Sequence, residues 1–451
     1  MPAARDCLAR LVGALCAAMS RLRAYGGRMP LEYPIATRRL ANGLRVAVSP
    51  DHSVPAVTVN LWVDVGSRHE PEGRTGFAHL FEHLMFQGSR NVAEGEHFSA
   101  LMAQGGQLNA TTWVDRTNYF ETVPTPAYEL ALWMEADRHG YLLDALTQEN
   151  LDNQRDVVKE EKRQRYDNRP YGNGLTDLNA TVFPKGHPYH HSTIGSMDDL
   201  DAASLDYVHD FYRVHYGPAN TVLTLVGDVT VEDGFAAAER YFGPLPARPV
   251  PPQPVVEPLG PLTEPVRLDR VEDVPQDRLY LGFRLPSGAT TAYLAGELAL
   301  GVLAGLATSR LYRRLVRREQ IATHVSQGSQ GRVAGTSMGT IAIDVPSGVA
   351  ADDVESAVCE ELELLGAQGP TPVELEAVVA DTERWWLQSL AAQDERADAI
   401  SQYYLLHDQP EYLNTFLDQI RQVSAAQVQE AAATWLQPRS RAVVTYRKQE
   451  D

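Results

Sequence analysis

Gly76-Phe77-Ala78-His79-Leu80-Phe81-Glu82-His83-Leu84-Met85-Phe86-Gln87-Gly88-Ser89 is the stretch on which the reading of this chain turns. On a helix, His79 and His83 stand one turn apart on one face, so both ring nitrogens can reach a single metal ion. Glu82 flanks the same face, where its carboxylate can hold a water against that metal as general base. The order is H-x-x-E-H, the inverse of the familiar H-E-x-x-H zinc motif. Two imidazoles and a carboxylate so spaced supply most of a hydrolytic zinc site, so the expected cofactor is Zn2+ and the expected class is a metallopeptidase.

A catalytic zinc ion takes three protein ligands and leaves the fourth position to water. The helix-favouring, charge-rich stretch Asn153-Gln154-Arg155-Asp156-Val157-Val158-Lys159-Glu160-Glu161-Lys162-Arg163 offers the third. Successive helical residues differ in direction by about 100°, so only one of Glu160 and Glu161 can face the metal. The apolar residues around them leave the choice open. Between the two helices, Gly105-Gly106-Gln107-Leu108-Asn109-Ala110-Thr111-Thr112-Trp113 opens a polar and aromatic run that continues to Glu121. It reads as an edge strand whose free backbone groups an extended peptide can join by β-augmentation.

The run Gly76 to Ser89, the Gly105-to-Ala110 stretch and the Arg155-to-Glu161 helix together resemble the pitrilysin/insulinase family of zinc peptidases. The likeness is strongest to its short bacterial and mitochondrial-processing-peptidase-like branch. It spans nearly the whole chain from about residue 34, with specific motifs only in the first half. That family's second-helix pattern, Glu-Arg-x-x-Val-x-x-Glu, fits Arg155 and Val158 and puts the third ligand on Glu161, with Glu160 the second choice. The pattern's first Glu is Gln154 here, a position beside the ligands. The resemblance also implies that Asn109 and Ala110 hold substrate main chain. Self-sufficient members carry an Arg and a Tyr in the later domain that steady the developing oxyanion, and the matching positions here are Val316 and Thr323. In heterodimeric members one subunit brings the zinc and the other brings that pair. A homologous partner subunit is therefore expected, with a homodimer as the alternative.

Composition agrees with such a protein. A chain of 451 residues is too long for one core, and its net charge of −19 argues against a nucleic-acid surface and against anionic membranes. Three cysteines, Cys7, Cys16 and Cys359, form no C-x-x-C and no even disulfide framework, which points to reduced thiols in the cytoplasm. Residues 1–33 read as a disordered or weakly helical extension, since the apolar stretch Leu11 to Met19 is too short to span a membrane.

The proline-dense stretch 246–265 forbids helix and central strand. It separates an expected zinc-binding catalytic domain at 34–245 from a second domain at 266–451 without metal ligands. Each half mixes strands, such as 56–65, 221–228, 279–284, 338–344 and 441–446, with helices, including 292–305, 351–366, 372–393 and 426–436. The fold class is thus α+β: two tandem homologous α/β domains, each a mixed sheet packed with helices, which the resemblance implies form half of a clam-shell chamber. His187, His190 and His191 sit in a proline-bearing loop without a common face and read as structural or surface residues. Two other functions fit the same residues: a non-catalytic peptide-binding subunit, and a zinc amidohydrolase of a small substrate.

Overall fold

A computed structural model describes residues 31–449. Most of the expected N-terminal extension, with Cys7 and Cys16, lies outside the described residues. The architecture is α+β, with two mixed sheets in tandem. The first sheet has the order β1-β2-β6-β3-β5-β4, where β1 is Ala36–Arg39, β2 Arg45–Pro50, β3 Ala56–Val63, β4 Gln107–Thr112, β5 Thr117–Pro124 and β6 Thr221–Gly227. The second has the order β7-β11-β8-β10-β9, where β7 is Val266–Glu272, β8 Asp277–Pro286, β9 His324–Gln330, β10 Thr336–Val345 and β11 Arg441–Lys448.

The run read as one strand from Gln107 to Glu121 is a hairpin. Its first arm, β4, lies at the sheet edge, whereas β5 is paired on both sides, to β4 and to β3. The stretch 246–265 carries neither helix nor strand.

Strands β3 and β6 are buried on both faces, and the cause is an exchange between the halves. One face of the first sheet is covered by helices of the first half, among them Tyr128–Tyr141 and Val231–Phe242. The other is covered by the helix Gln393–His407, which comes from the second half and packs on β3 and β6. In return, the helix Gly174–Val182 of the first half packs on β8 and β11. Leu178 and Val182 join Tyr280, Met338, Val444 and Tyr446 in one buried cluster. Glycine lets this helix approach closely: a Cβ at Gly282 would stand 2.6 Å from a Val182 methyl. Burial of this kind stabilises by about 25 cal/mol per Å² of apolar surface, so each half lends the other part of its core.

One helix expectation differs from the structure. The expected helix 372–393 stops at Ser389, and a separate helix starts at Gln393. No Gly or Pro marks the break. Tertiary contacts make it: Leu390 is buried, and its carbonyl accepts a hydrogen bond from the Tyr33 hydroxyl at 3.3 Å. The chain turns there to reach the first sheet.

Candidate metal centre

The motif helix spans Phe77–Leu84 and follows Gly76, whose φ is +83°. A Cβ at Gly76 would lie 2.5 Å from the Ile194 carbonyl oxygen, so both the conformation and the space require glycine. The helix start is held by Glu70, which accepts hydrogen bonds from the backbone N–H of Gly76 at 3.0 Å and of Ala78 at 2.7 Å. A carboxylate at this end also suits the helix dipole. His191 Nε2 lies 2.9 Å from the same carboxylate, so this histidine braces the helix. Phe77 packs edge-on and Phe81 tilted against Phe211, and that anchorage turns His79, Glu82 and His83 to the opposite face.

That face lines a cavity of about 550 Å³ together with Glu161, Asn109, Ala110, Thr112 and Gln154. His79 Nε2 lies 3.7 Å and His83 Nε2 3.4 Å from Glu161 Oε2, and the three candidate ligand atoms fall within 4.8 Å of one another. A tetrahedral zinc with bonds of about 2.0–2.1 Å holds its ligand atoms about 3.3–3.4 Å apart. The donor set therefore fits zinc in chemistry, and the two distances to Glu161 come close to that spacing. Burial, reinforced by the neighbouring His83, lowers the pKa of His79 to about 4, which keeps its imidazole neutral and able to donate. The hydrogen bond from His83 holds the Glu161 carboxyl below the usual range despite burial. Glu160 faces outward and accepts hydrogen bonds from Arg163 and Gln164 instead.

Glu161 lies just before a π-helical turn, Arg163–Asp167, a local widening often found at functional sites. From that turn, Arg165 reaches back to Glu161 Oε1 at 2.7 Å. Glu82 is 8% exposed; burial pushes its pKa up, and a hydrogen bond from Thr112 Oγ1 partly offsets this. A carboxylate raised toward neutrality is suited to take a proton from water.

Thr112, Glu70 and Arg165 were not among the residues singled out from the sequence. Thr112 could have been: in a strand it shares a face with Ala110, two residues earlier. Glu70 gave no local signal, because its bonds to the helix start depend on tertiary placement. Val316 packs, partly buried, against the cluster that holds Leu311 and Leu315, and Thr323 Oγ1 accepts from Gln276 at 3.2 Å. Neither lines the cavity at His79.

Three convergent donors, a raised carboxylate and an adjacent edge strand define a site of the metal-dependent peptidase class. The chain belongs to peptidase family M16. A family model described as Insulinase (Peptidase family M16) matches residues 45–194, and one described as Peptidase M16 inactive domain matches residues 202–381. Zinc protease PqqE of Helicobacter pylori is 28% identical over 388 residues, covering 84% of this chain and 86% of the relative. A probable mitochondrial-processing peptidase subunit beta of Arabidopsis thaliana is 28% identical over 211 residues, 47% of this chain and 39% of the relative. In fold, the crystal structure of a protease from Helicobacter pylori matches with a TM-score of 0.85 at 24% identity, covering 92% of this chain and 99% of that one. The periplasmic protease PqqL of Escherichia coli matches with a TM-score of 0.75 at 19% identity, covering 93% of this chain and 48% of that one. Among the described residues, no helix is long and apolar enough to cross a membrane.

Proposed function

We propose that this chain is the zinc-bearing subunit of an endopeptidase that cleaves short or unfolded peptides. The observation that carries this reading is the convergence of His79, His83 and Glu161 beside Glu82 in one cavity. His79, His83 and Glu161 would hold the ion, and Gln154 would stand beside them. Bound zinc supplies a Lewis acid and lowers the pKa of water. Glu82 takes the proton of the attacking water and returns it to the leaving amine, and Thr112 fixes the carboxylate for both transfers. Asn109 and Ala110 on β4 hold the substrate main chain as an added strand.

Val316 and Thr323 occupy the sequence positions at which the resemblance implies an oxyanion-steadying Arg and Tyr, so a homologous subunit carrying that pair would complete the site and close the clam-shell. A homodimer would close the shell without adding that pair. The division at 246–265 then separates a catalytic domain from one that shapes the chamber. The lack of an even disulfide framework among the three cysteines supports a cytoplasmic setting for the assembly.

The test is cleavage of a mixed peptide library by the chain, alone and mixed with a homologous subunit that carries the Arg and Tyr pair, with and without a chelator and with zinc restored. Zinc-dependent cleavage is expected. Peptide binding without cleavage would mark a non-catalytic subunit, and cleavage confined to small amides would mark an amidohydrolase.

A further inference from the structure

The cavity at His79 is walled by a strand that the other half of the chain braces. The helix Gln393–His407 lies across β3 and β6, and from it Asp398 reaches the first sheet. Its Oδ1 accepts from Trp62 Nε1 at 2.8 Å and from Asn118 Nδ2 at 2.9 Å. Asn118, on β5, uses its own Oδ1 to accept from Thr111 Oγ1 at 2.6 Å. Arg116 donates to the Thr111 carbonyl at 2.9 Å and to Asn118 Oδ1 at 3.3 Å. Thr111 sits between Ala110 and Thr112 on β4, and Thr112 donates to Glu82. An unbroken chain of contacts thus runs from the half without metal ligands to the strand beside the proposed base.

Electrostatics favour the same link. Arg116 is buried and stacks on Trp62, 4.6 Å from the ring centre. Burial lowers its pKa to about 10, and Asp398 is the foremost charge opposing that loss. Removing Asp398 would leave Trp62 and Asn118 without their acceptor and Arg116 less compensated. Asn118 would be free to turn away from Thr111, and β4 would lose a side-chain tie on its cavity wall. Such unmade bonds cost more than the bonds themselves contribute.

We infer that Asp398 is a positioning residue for β4, setting from the second half the strand that receives peptide and the threonine that orients Glu82. The inference rests on the peptidase reading for its functional consequence, but the placement of β4 can be measured without turnover.

The test uses the full chain with Asp398→Ala and Asp398→Asn, each also combined with Glu82→Gln so that peptide is bound but not cut. Asn keeps an oxygen able to accept from both Trp62 and Asn118; Ala does not. Three readouts are taken: affinity for a fluorescent unfolded peptide, amide exchange across residues 107–112, and zinc content. Asp398→Ala is expected to weaken peptide affinity about tenfold, near the low end for a net hydrogen bond to a charged group, and to speed exchange in β4 while zinc content holds. Asp398→Asn is expected to stay within about threefold of the parent on the same scale. Unchanged affinity and β4 exchange in the Ala variant would overturn the inference, as would equal impairment by Asn and Ala. Loss of zinc with faster exchange through the whole first sheet would also overturn it, by showing a general structural defect. Failure of the unmutated chain to cleave peptide, alone or with a homologous subunit carrying the Arg and Tyr pair, would instead break the peptidase reading, and amide exchange would still decide the role of Asp398.

Discussion

In the first half the motif helix follows β3 and meets the edge strand β4; in the second, the helix Thr291–Ala304 follows β8 and meets the edge strand β9. A glutamate on each helix accepts a hydroxyl hydrogen bond from its edge strand, Glu82 from Thr112 and Glu297 from Ser329. A longer helix completes each pocket, Gln148–Lys162 in one and Pro372–Ser389 in the other, both opened by a threonine capping box. The second pocket is also a cavity, of about 590 Å³. What differs is the donors. At the third and seventh positions after the caps, Gly76 and Thr290, the first half has His79 and His83 where the second has Tyr293 and Glu297. Fourteen residues after Thr147 and Thr371 stand Glu161 and Trp385. Burial pushes the Glu297 carboxyl up toward its neutral form, which makes it a poor metal ligand. The fold duplicates the pocket, and side-chain chemistry alone decides which copy suits a metal.

The comparison breaks most sharply at Glu82. Glu82→Gln preserves shape and the contact with Thr112 but cannot accept a proton, so activity should fall by roughly 10²–10⁴-fold while zinc stays bound. Steady-state cleavage and metal content measured on one preparation check this. Turnover within about tenfold of the parent would remove Glu82 from the role of base.

The second half can be tested for what it lacks. If Val316 and Thr323 leave the oxyanion unsupported, the chain alone should bind zinc yet cleave about 10²–10³-fold more slowly than when mixed with a homologous subunit carrying the Arg and Tyr pair. Full activity of the lone, monodisperse chain would show that its own residues do this work.

Each element is legible in the sequence according to where its signal sits. The motif helix and the strands around it announce themselves through residues a few positions apart. The boundaries of β3, β6 and β11 accordingly fall close to those expected. The helix exchange does not announce itself: whether Leu178 and Val182 are buried depends on Tyr280 and Val444, far along the chain. The break between Ser389 and Gln393 depends in the same way on Tyr33 and Leu390. At the centre itself, His79, Glu82 and His83 are legible in five residues, whereas Glu70 and Asp398 act across the fold. Glu160 and Glu161 fall between these cases, because helix direction alone could not choose between them.

Their difference gives the third prediction. Glu161→Gln should weaken zinc binding by about 10²-fold or more, above the range typical for residues that merely orient ligands. Glu160→Gln should leave affinity near that of the parent. Competition with a chromophoric chelator reads both, and greater loss from Glu160→Gln would reverse the assignment.

The smallest expected effect concerns the halves as folded bodies. Of the 13 histidines, only His324 and His407 lie beyond residue 266. Burial lowers the pKa of His139, packed beside Tyr216 and Phe242, to about 3, with Arg248 the next cause. Its folded pKa lies below the ordinary 6.5, so below pH 6.5 the unfolded chain takes up a proton that the folded chain refuses. The stability contributed by neutral His139 is complete above about pH 6.5 and drains away as pH falls toward 3. Each pH unit in that window costs about 1.4 kcal/mol per such group. Buried carboxyls with raised pKa values, such as Glu121, act in the opposite sense, so the net slope of the whole chain does not isolate the histidine. A variant does. His139→Gln loses the titrating group, so between pH 7 and pH 5 the parent should lose about 2 kcal/mol more unfolding free energy than the variant. Denaturant unfolding of the first half at both pH values, followed by exchange in β3 and β6, measures the difference. Parallel losses in parent and variant would show that His139 is already protonated in the fold.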